Sequence, residues 1–194
     1  MAELTWLGVP AGSREWSQLG FLVDGETVRV GDVVIERAAG PVAWGFEALL
    51  DDPGVLGVPT RTSRRPQGPP SPHPNAVDRV DHVVYRVPDL DAAVLAIHRV
   101  LGLRPRRRAH PYGPDGPEMV FFRAGRPVLE VIDGADSPEL WGLALRTADL
   151  DATVAAVRGA GGEVGDPKPA VQGGRIATAR GTGLPLAFLE RPAR

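Results

Sequence analysis

His82 and Glu130 are the side chains whose types and surroundings best suit them for chemistry. In the run Val80–Val87 (VDHVVYRV), Val83, Tyr85 and Val87 fall on one side of an alternating strand, and Val80, His82, Val84 and Arg86 on the other. A helix has to cover the apolar and aromatic side, which leaves His82 and Arg86 facing a pocket. Glu130 shares its face with Val128 and Ile132. A carboxylate between two β-branched residues is expected to be partly buried and in need of a partner. With Glu130 as general base, its pKa raised by burial, and His82 assisting, the pair can do metal-free acid–base chemistry. The same two groups can equally hydrogen-bond each other or a nearby arginine as satisfied polar filling.

The elements that must position these residues are legible around them. Pro88 stops the first strand, Asp89 is a helix N-cap, and Leu90, Val94, Ile97 and Leu101 recur at helical spacing before Gly102 closes the helix. Two strand-like runs, MVFFRAG and RPVLEVIDG, follow with a glycine-containing turn between them. The pattern then returns. Matching Asp149-Leu150-Asp151 to Asp89-Leu90-Asp91 places Leu150, Val154 and Val157 on the positions of Leu90, Val94 and Ile97, and GRIATARGTG and LPLAFLER supply the returning strands. A repeat of about 60 residues results. It puts Arg146 on the position of Arg86; two arginines facing one pocket favour an anionic ligand, while at strand ends both can equally reach out to solvent. Gln172 and Arg175 lie in a Gly-rich turn (QGGR) whose backbone can approach a ligand closely, although a simple hairpin turn needs the same residues.

A third, shortened copy is read at residues 3–49: a strand from Leu4, a short helix around Ser13–Leu19, and TVRVGDVVIER, in which Gly31 to Glu36 repeats the spacing of Gly125 to Glu130. Trp44-Gly45-Phe46 echoes Trp141-Gly142-Leu143. Residues 50–79 are rich in proline and arginine, excluding a helix or a central strand, and are read as an extended linker that either spans open space or wraps on the surface. The two complete modules are residues 80–133 and 140–191, together a domain of residues 80–191.

Paired βαβββ modules with turns of the type Val87-Pro88-Asp89-Leu90-Asp91 and Thr147-Ala148-Asp149-Leu150-Asp151 resemble the vicinal oxygen chelate superfamily, which includes glyoxalase I, extradiol dioxygenases and the bleomycin-resistance proteins. The resemblance implies an α+β fold in which mixed sheets curl into a cup and small ligands bind on the concave face. It also implies metal positions on the first and last strand of each module. His82 and Glu130 match them in the first. In the second, Gly142 matches His82, and Phe188, or Ala187 under a one-residue shift, matches Glu130; none of these coordinates a cation. Glu190, or Glu36 of the shortened copy, is the remaining candidate ligand. The cofactor expected is therefore either none or one divalent ion (Zn, Ni, Mn or Fe), held by His82, Glu130 and Glu190.

Two functions follow as expectations. One is a binding module of the bleomycin-resistance type, taking a small, anionic or aromatic metabolite in a cup with a degenerate metal site. The other is a metal-dependent lyase, isomerase or dioxygenase, in which the ion stabilises an enolate-like intermediate. Composition narrows the rest. The 194 residues contain no cysteine, excluding disulfides and thiolate metal sites, and the net charge of −2 gives no global case for nucleic acid or acidic membrane. No apolar run approaches the roughly 18 residues of a membrane span, and the first residues have no signal-peptide pattern, so a cytoplasmic location is expected. Arg104 and Arg106–Arg108 form a basic cluster, either a solvated loop or an anion clamp at the mouth of the cup. The edge of the shortened module has to be covered by the rest of the chain or by a second copy, the latter giving a homodimer.

Overall fold

A computed structural model describes residues 2–191 of the chain. Two mixed sheets are present. The first is built from β1 (Leu4–Val9), a short helix α1 (Ser13–Gln18), β2 (Thr27–Val30), β3 (Val33–Arg37), β4 (Ala43–Phe46) and, after a 3-10 turn at Pro53–Leu56, β5 (Thr60–Thr62). Its strand order is β2-β3-β1-β4-β5. The second holds β6 (Val77–Val87), α2 (Leu90–Leu101), β7 (Arg107–Ala109), β8 (Met119–Arg123), β9 (Val128–Asp133), β10 (Glu139–Thr147), α3 (Leu150–Gly159), β11 (Lys168–Pro169), β12 (Arg175–Ala179) and β13 (Leu186–Glu190), in the order β11-β12-β13-β10-β6-β9-β8-β7.

The larger sheet is the repeat made physical. β9 lies parallel to β6 as β13 lies parallel to β10, and the two halves join antiparallel along β6 and β10. Each helix starts at the expected aspartate: Asp89 accepts the Ala92 N–H and Asp149 the Ala152 N–H, both at 2.9 Å. Gly102 ends α2 at φ 64°, a left-handed turn that suits glycine. Val83, Tyr85 and Val87 bury into one core with Leu90, Ile97, Leu150 and Val157, which leaves the opposite, concave face of the sheet free.

Three details differ from the sequence reading. The Arg107–Ala109 part of the basic cluster forms edge strand β7 against β8, and its charges are matched locally: Arg108 pairs with Asp91 and Glu118, and Arg107 lies 5.8 Å from the Phe121 ring centre. The proline-rich segment takes the course along the surface, one of the two open to it, and contributes a strand that is stitched to the body. β5 pairs with β4, and His73 joins two backbone groups, accepting from the Leu22 N–H (3.1 Å) and meeting the Arg29 carbonyl (2.9 Å). β6 begins at Val77, three residues early, because fully buried Asn75 caps its entry by accepting the Val77 N–H and donating to the Leu19 carbonyl.

The shortened copy also proves to be larger than one module. β1, β2 and β3 have the connectivity of β6, β8 and β9. β4 then runs antiparallel to β1, as β10 does to β6, and β5 lies parallel to β4, as β13 does to β10. The smaller sheet is thus a reduced two-module array, with the 3-10 turn in place of the second helix. It packs on the helical side of the larger sheet. Trp44 lies 5.1 Å from the Tyr85 ring, Tyr85 Oη donates to the Leu56 carbonyl, and Phe21 stacks 6.4 Å from Phe188.

Candidate functional site: a cup with a polar floor

Curling of the larger sheet leaves a cavity of about 740 Å³ on its concave face, within the range of small-molecule sites. Val84, Met119, Ile132, Leu143, Ile176 and Leu189 are among the residues of its apolar wall. Exposed Tyr112, Trp141 and Val171 line it too, so large apolar side chains reach solvent there.

The polar floor depends on an irregularity in β6. Ala144 of β10 lies opposite His82 while the next residue, Leu145, lies opposite Val80, so Asp81 is an extra, unpaired residue on β6. Such a bulge lets consecutive side chains meet instead of alternating across the sheet. Asp81 Oδ2 accordingly lies 3.0 Å from His82 Nδ1. From the far end of the chain, Arg191 grips both Asp81 oxygens, at 3.1 and 2.7 Å. Burial alone would push the Asp81 carboxyl up, but the hydrogen bonds from His82 and Arg191 prevail and hold it well below the usual carboxylate range. An ionised Asp81 can only accept, so the imidazole proton sits on Nδ1. His82 Nε2 has no protein partner among the described residues.

Glu130 is 6% exposed, and its Oε1 lies 3.7 Å from His82 Nδ1. Gln172 Nε2 donates to the same oxygen at 3.4 Å. Burial pushes the Glu130 carboxyl up, against the opposing pull of His82, Arg191 and the Gln172 hydrogen bond.

His82, Glu130, Gln172 and Arg86 thus line one cavity. Arg86 is already engaged, donating to Glu139 at 3.0 Å and to the Gly134 carbonyl at 2.8 Å. Three other expected residues lie outside the cavity lining. Arg175 pairs with Glu190 at 2.7 Å and with Asp151 at 2.9 Å, and Glu190 also accepts the Leu150 N–H at the start of α3. Odd-numbered residues of β13 (Ala187, Leu189) point into the cup, so alternation turns Phe188 and Glu190 away from it. The register settles the alternative alignment: Ala187 stands opposite Ala144 as Glu130 stands opposite Val84, so Ala187, not Phe188, is the counterpart of Glu130. Arg146 lies beyond the cavity edge.

Asp81, Arg191 and Lys168 are the cavity-associated charges that sequence reasoning missed. Alternation alone places Asp81 on the wrong face, and Arg191 is 110 positions away from it. Lys168, the chain's sole lysine, lines the cavity and has no ion-pair partner among the described residues. Its lone occurrence was the available signal.

A family model for the glyoxalase/bleomycin resistance protein/dioxygenase superfamily matches residues 81–178, half of the chain and most of the larger sheet. The chain belongs to this superfamily. Solved structures show the same fold. Methylmalonyl-CoA epimerase from Mycobacterium tuberculosis superposes with a TM-score of 0.52 at 20% identity, over 61% of this chain and 91% of that one. A hypothetical protein from Bacillus halodurans C-125 does so with 0.51 at 16% identity, over 60% and 96%. No curated protein matches the sequence.

Within the superfamily fold, the metal positions of this chain hold one imidazole and one carboxylate. Gly142 and Ala187 offer no donor atom, Glu190 faces away, and the Arg191 guanidinium occupies the floor beside Asp81. Catalytic sites of this kind need about three protein ligands. Among the described residues no group of three or more His, Cys, Asp or Glu is disposed to hold a metal ion. His82 and Glu130 are two of the about three protein ligands such a site needs.

Proposed function

We propose that the chain binds a small metabolite in the cup of the larger sheet through its own side chains: an apolar body against the wall and a polar head on the floor formed by His82, Glu130 and Gln172. The observation that carries this reading is the convergence of those three groups at one end of a cavity of about 740 Å³ that is otherwise mainly apolar. Lys168 favours a ligand with an anionic group.

The test is calorimetric titration with 2-naphthoate and its neutral methyl ester, on the wild type and on Gly142→Leu. A β-carbon at Gly142 meets its nearest neighbours at 3.5 Å and beyond, so the backbone tolerates it while a longer side chain fills the cup. Saturable binding by the wild type, weakened at least about tenfold in the variant, is expected. Equal binding by the two proteins, or no saturable binding by the wild type, would overturn the proposal.

A second reading, proton transfer to or from the bound molecule, is favoured by the Asp81–His82 pair. It orients the ring, with Nδ1 between Asp81 and buried Glu130, and leaves Nε2 without a protein partner among the described residues, open to the bound molecule. Methylmalonyl-CoA, the substrate named for the epimerase neighbour, is a reasonable first compound for assay. Loss of turnover by orders of magnitude in Glu130→Ala would support catalysis, whereas a modest loss of affinity alone would leave binding as the function. A dimer joined through either open edge of the smaller sheet is a further proposal, and a monodisperse monomer in light scattering would exclude it.

A further inference from the structure

Beyond the cavity edge, where β6 and β10 run on together, the concave face carries two arginines in direct opposition. Arg146 and Arg79 are register partners across the antiparallel pair. Partners of this kind share a face, with β-carbons about 5 Å apart. That face is the concave one, because the partner of Arg146 on its other side, Leu189 of β13, lines the cavity. Like charges placed opposite each other in a sheet are destabilising unless something lies between them. Nothing among the described residues does. Arg146 is partly buried and makes no hydrogen bond or ion pair there, and Arg79 has only its sequence neighbour Asp78, 3.9 Å from Nε and well exposed. The next charge along the face, Arg191, is used by both oxygens of Asp81.

The repeat sharpens the contrast. Arg86 occupies the equivalent position in the first module, and its guanidinium is satisfied by a carboxylate and a carbonyl. Arg146 has the same origin and no such partners. Two guanidinium groups opposed in register on one face, with exposed Asp78 as their one ion-pair partner among the described residues, form a fork for a tetrahedral or planar oxyanion, which each can bind with paired N–H donors.

We infer that Arg79 and Arg146 form an oxyanion subsite at the end of the cup, taking a phosphate or carboxylate group. The shared chemistry is that of an oxyanion, free or attached to the molecule held in the cup; only the second case rests on the function proposed above.

Inorganic phosphate alone tests the subsite. Thermal unfolding of the wild type in increasing phosphate, against chloride of matched ionic strength, should show a saturable rise in melting temperature. Arg146→Met and Arg79→Met should each weaken the phosphate response at least about tenfold and, without phosphate, melt higher than the wild type because the opposition of like charges is gone. Arg64→Met, at an exposed arginine elsewhere, should behave as the wild type does. A phosphate response equal in all four proteins would overturn the inference, as would Met variants that melt lower in chloride and keep the response. Titration of the wild type with 2-naphthyl phosphate and with 2-naphthol then separates the sources. If the anion belongs to the cup's ligand, the phosphate ester binds the wild type more tightly than 2-naphthol, and Arg146→Met removes that advantage. If the subsite takes free anion, inorganic phosphate leaves 2-naphthol binding unchanged. Loss of 2-naphthol binding with a retained phosphate response would sink the cup's function and leave the subsite standing.

Discussion

Trp6 stands in the smaller sheet where His82 stands in the larger one. Trp6 lies opposite Val34 on the parallel strand β3, two residues before Glu36, just as His82 lies opposite Val128, two residues before Glu130. The contacts are parallel too: the Trp6 indole N–H donates to Glu36 at 2.8 Å, and His82 Nδ1 faces Glu130. Arg61, at the register position of Ala187, lies 3.4 Å over the Trp6 ring and 3.4 Å from Glu36. In one sheet the equivalent positions frame a cavity, and in the other they stack on each other and close it.

Removing that plug should therefore be costly. Trp6→Ala is expected to lower stability by about 3 kcal/mol in urea unfolding, the cost of emptying a buried aromatic site. Added indole should return part of the loss. A change below about 1 kcal/mol would show that the ring merely lies on the surface.

The stitch at His73 should make stability sensitive to mild acid. Burial lowers its pKa from 6.5, outweighing the opposing hydrogen bond to the Arg29 carbonyl, and Nδ1 must stay unprotonated to accept the Leu22 N–H. A depressed folded-state value means that the unfolded chain takes up the proton first. The contribution is complete above pH 6.5 and is lost as pH falls below it, at up to about 1.4 kcal/mol per pH unit. Unfolding of the wild type and of His73→Gln at pH 7.5 and 5.5 checks this: the wild type should lose more stability on acidification.

Asn75 carries the entry to β6 and is fully buried. Asn75→Ala leaves the Leu19 carbonyl and the Val77 N–H without their partners, and about 2–4 kcal/mol should be lost. Hydrogen exchange should quicken at Val77 before the centre of β6 responds.

Glu130→Gln keeps the shape of the floor and removes the ionisable group. Burial raises the folded pKa of Glu130 above 4.5, so its contribution is complete at low pH and falls away as pH rises through the folded value. The variant should accordingly gain stability relative to the wild type between pH 5 and pH 8. A difference independent of pH would mean that the carboxyl is solvated.

Much of this molecule follows from local pattern. Alternation in β6 assigned His82 and Arg86 to the pocket and Val83, Tyr85 and Val87 to the core, because successive side chains in a strand point to opposite faces. Asp89 and Asp149 marked both helix starts, since a short carboxylate satisfies an otherwise unpaired backbone N–H. The repeat carried the superfamily and the cup. What tertiary structure alone decided is everything that depends on register. One unpaired residue at Asp81 defeats alternation and brings Asp81, His82 and Arg191 together. A one-residue choice on β13 puts Ala187 in the cup and turns Glu190 to Arg175. Pairing of β4 with β5 turns a read linker into the second half of a sheet, and pairing of β6 with β10 sets Arg79 against Arg146. Sequence periodicity reports which way a side chain points relative to its neighbours; which residues from distant strands meet is set by backbone pairing across the sheet, and no local pattern encodes it.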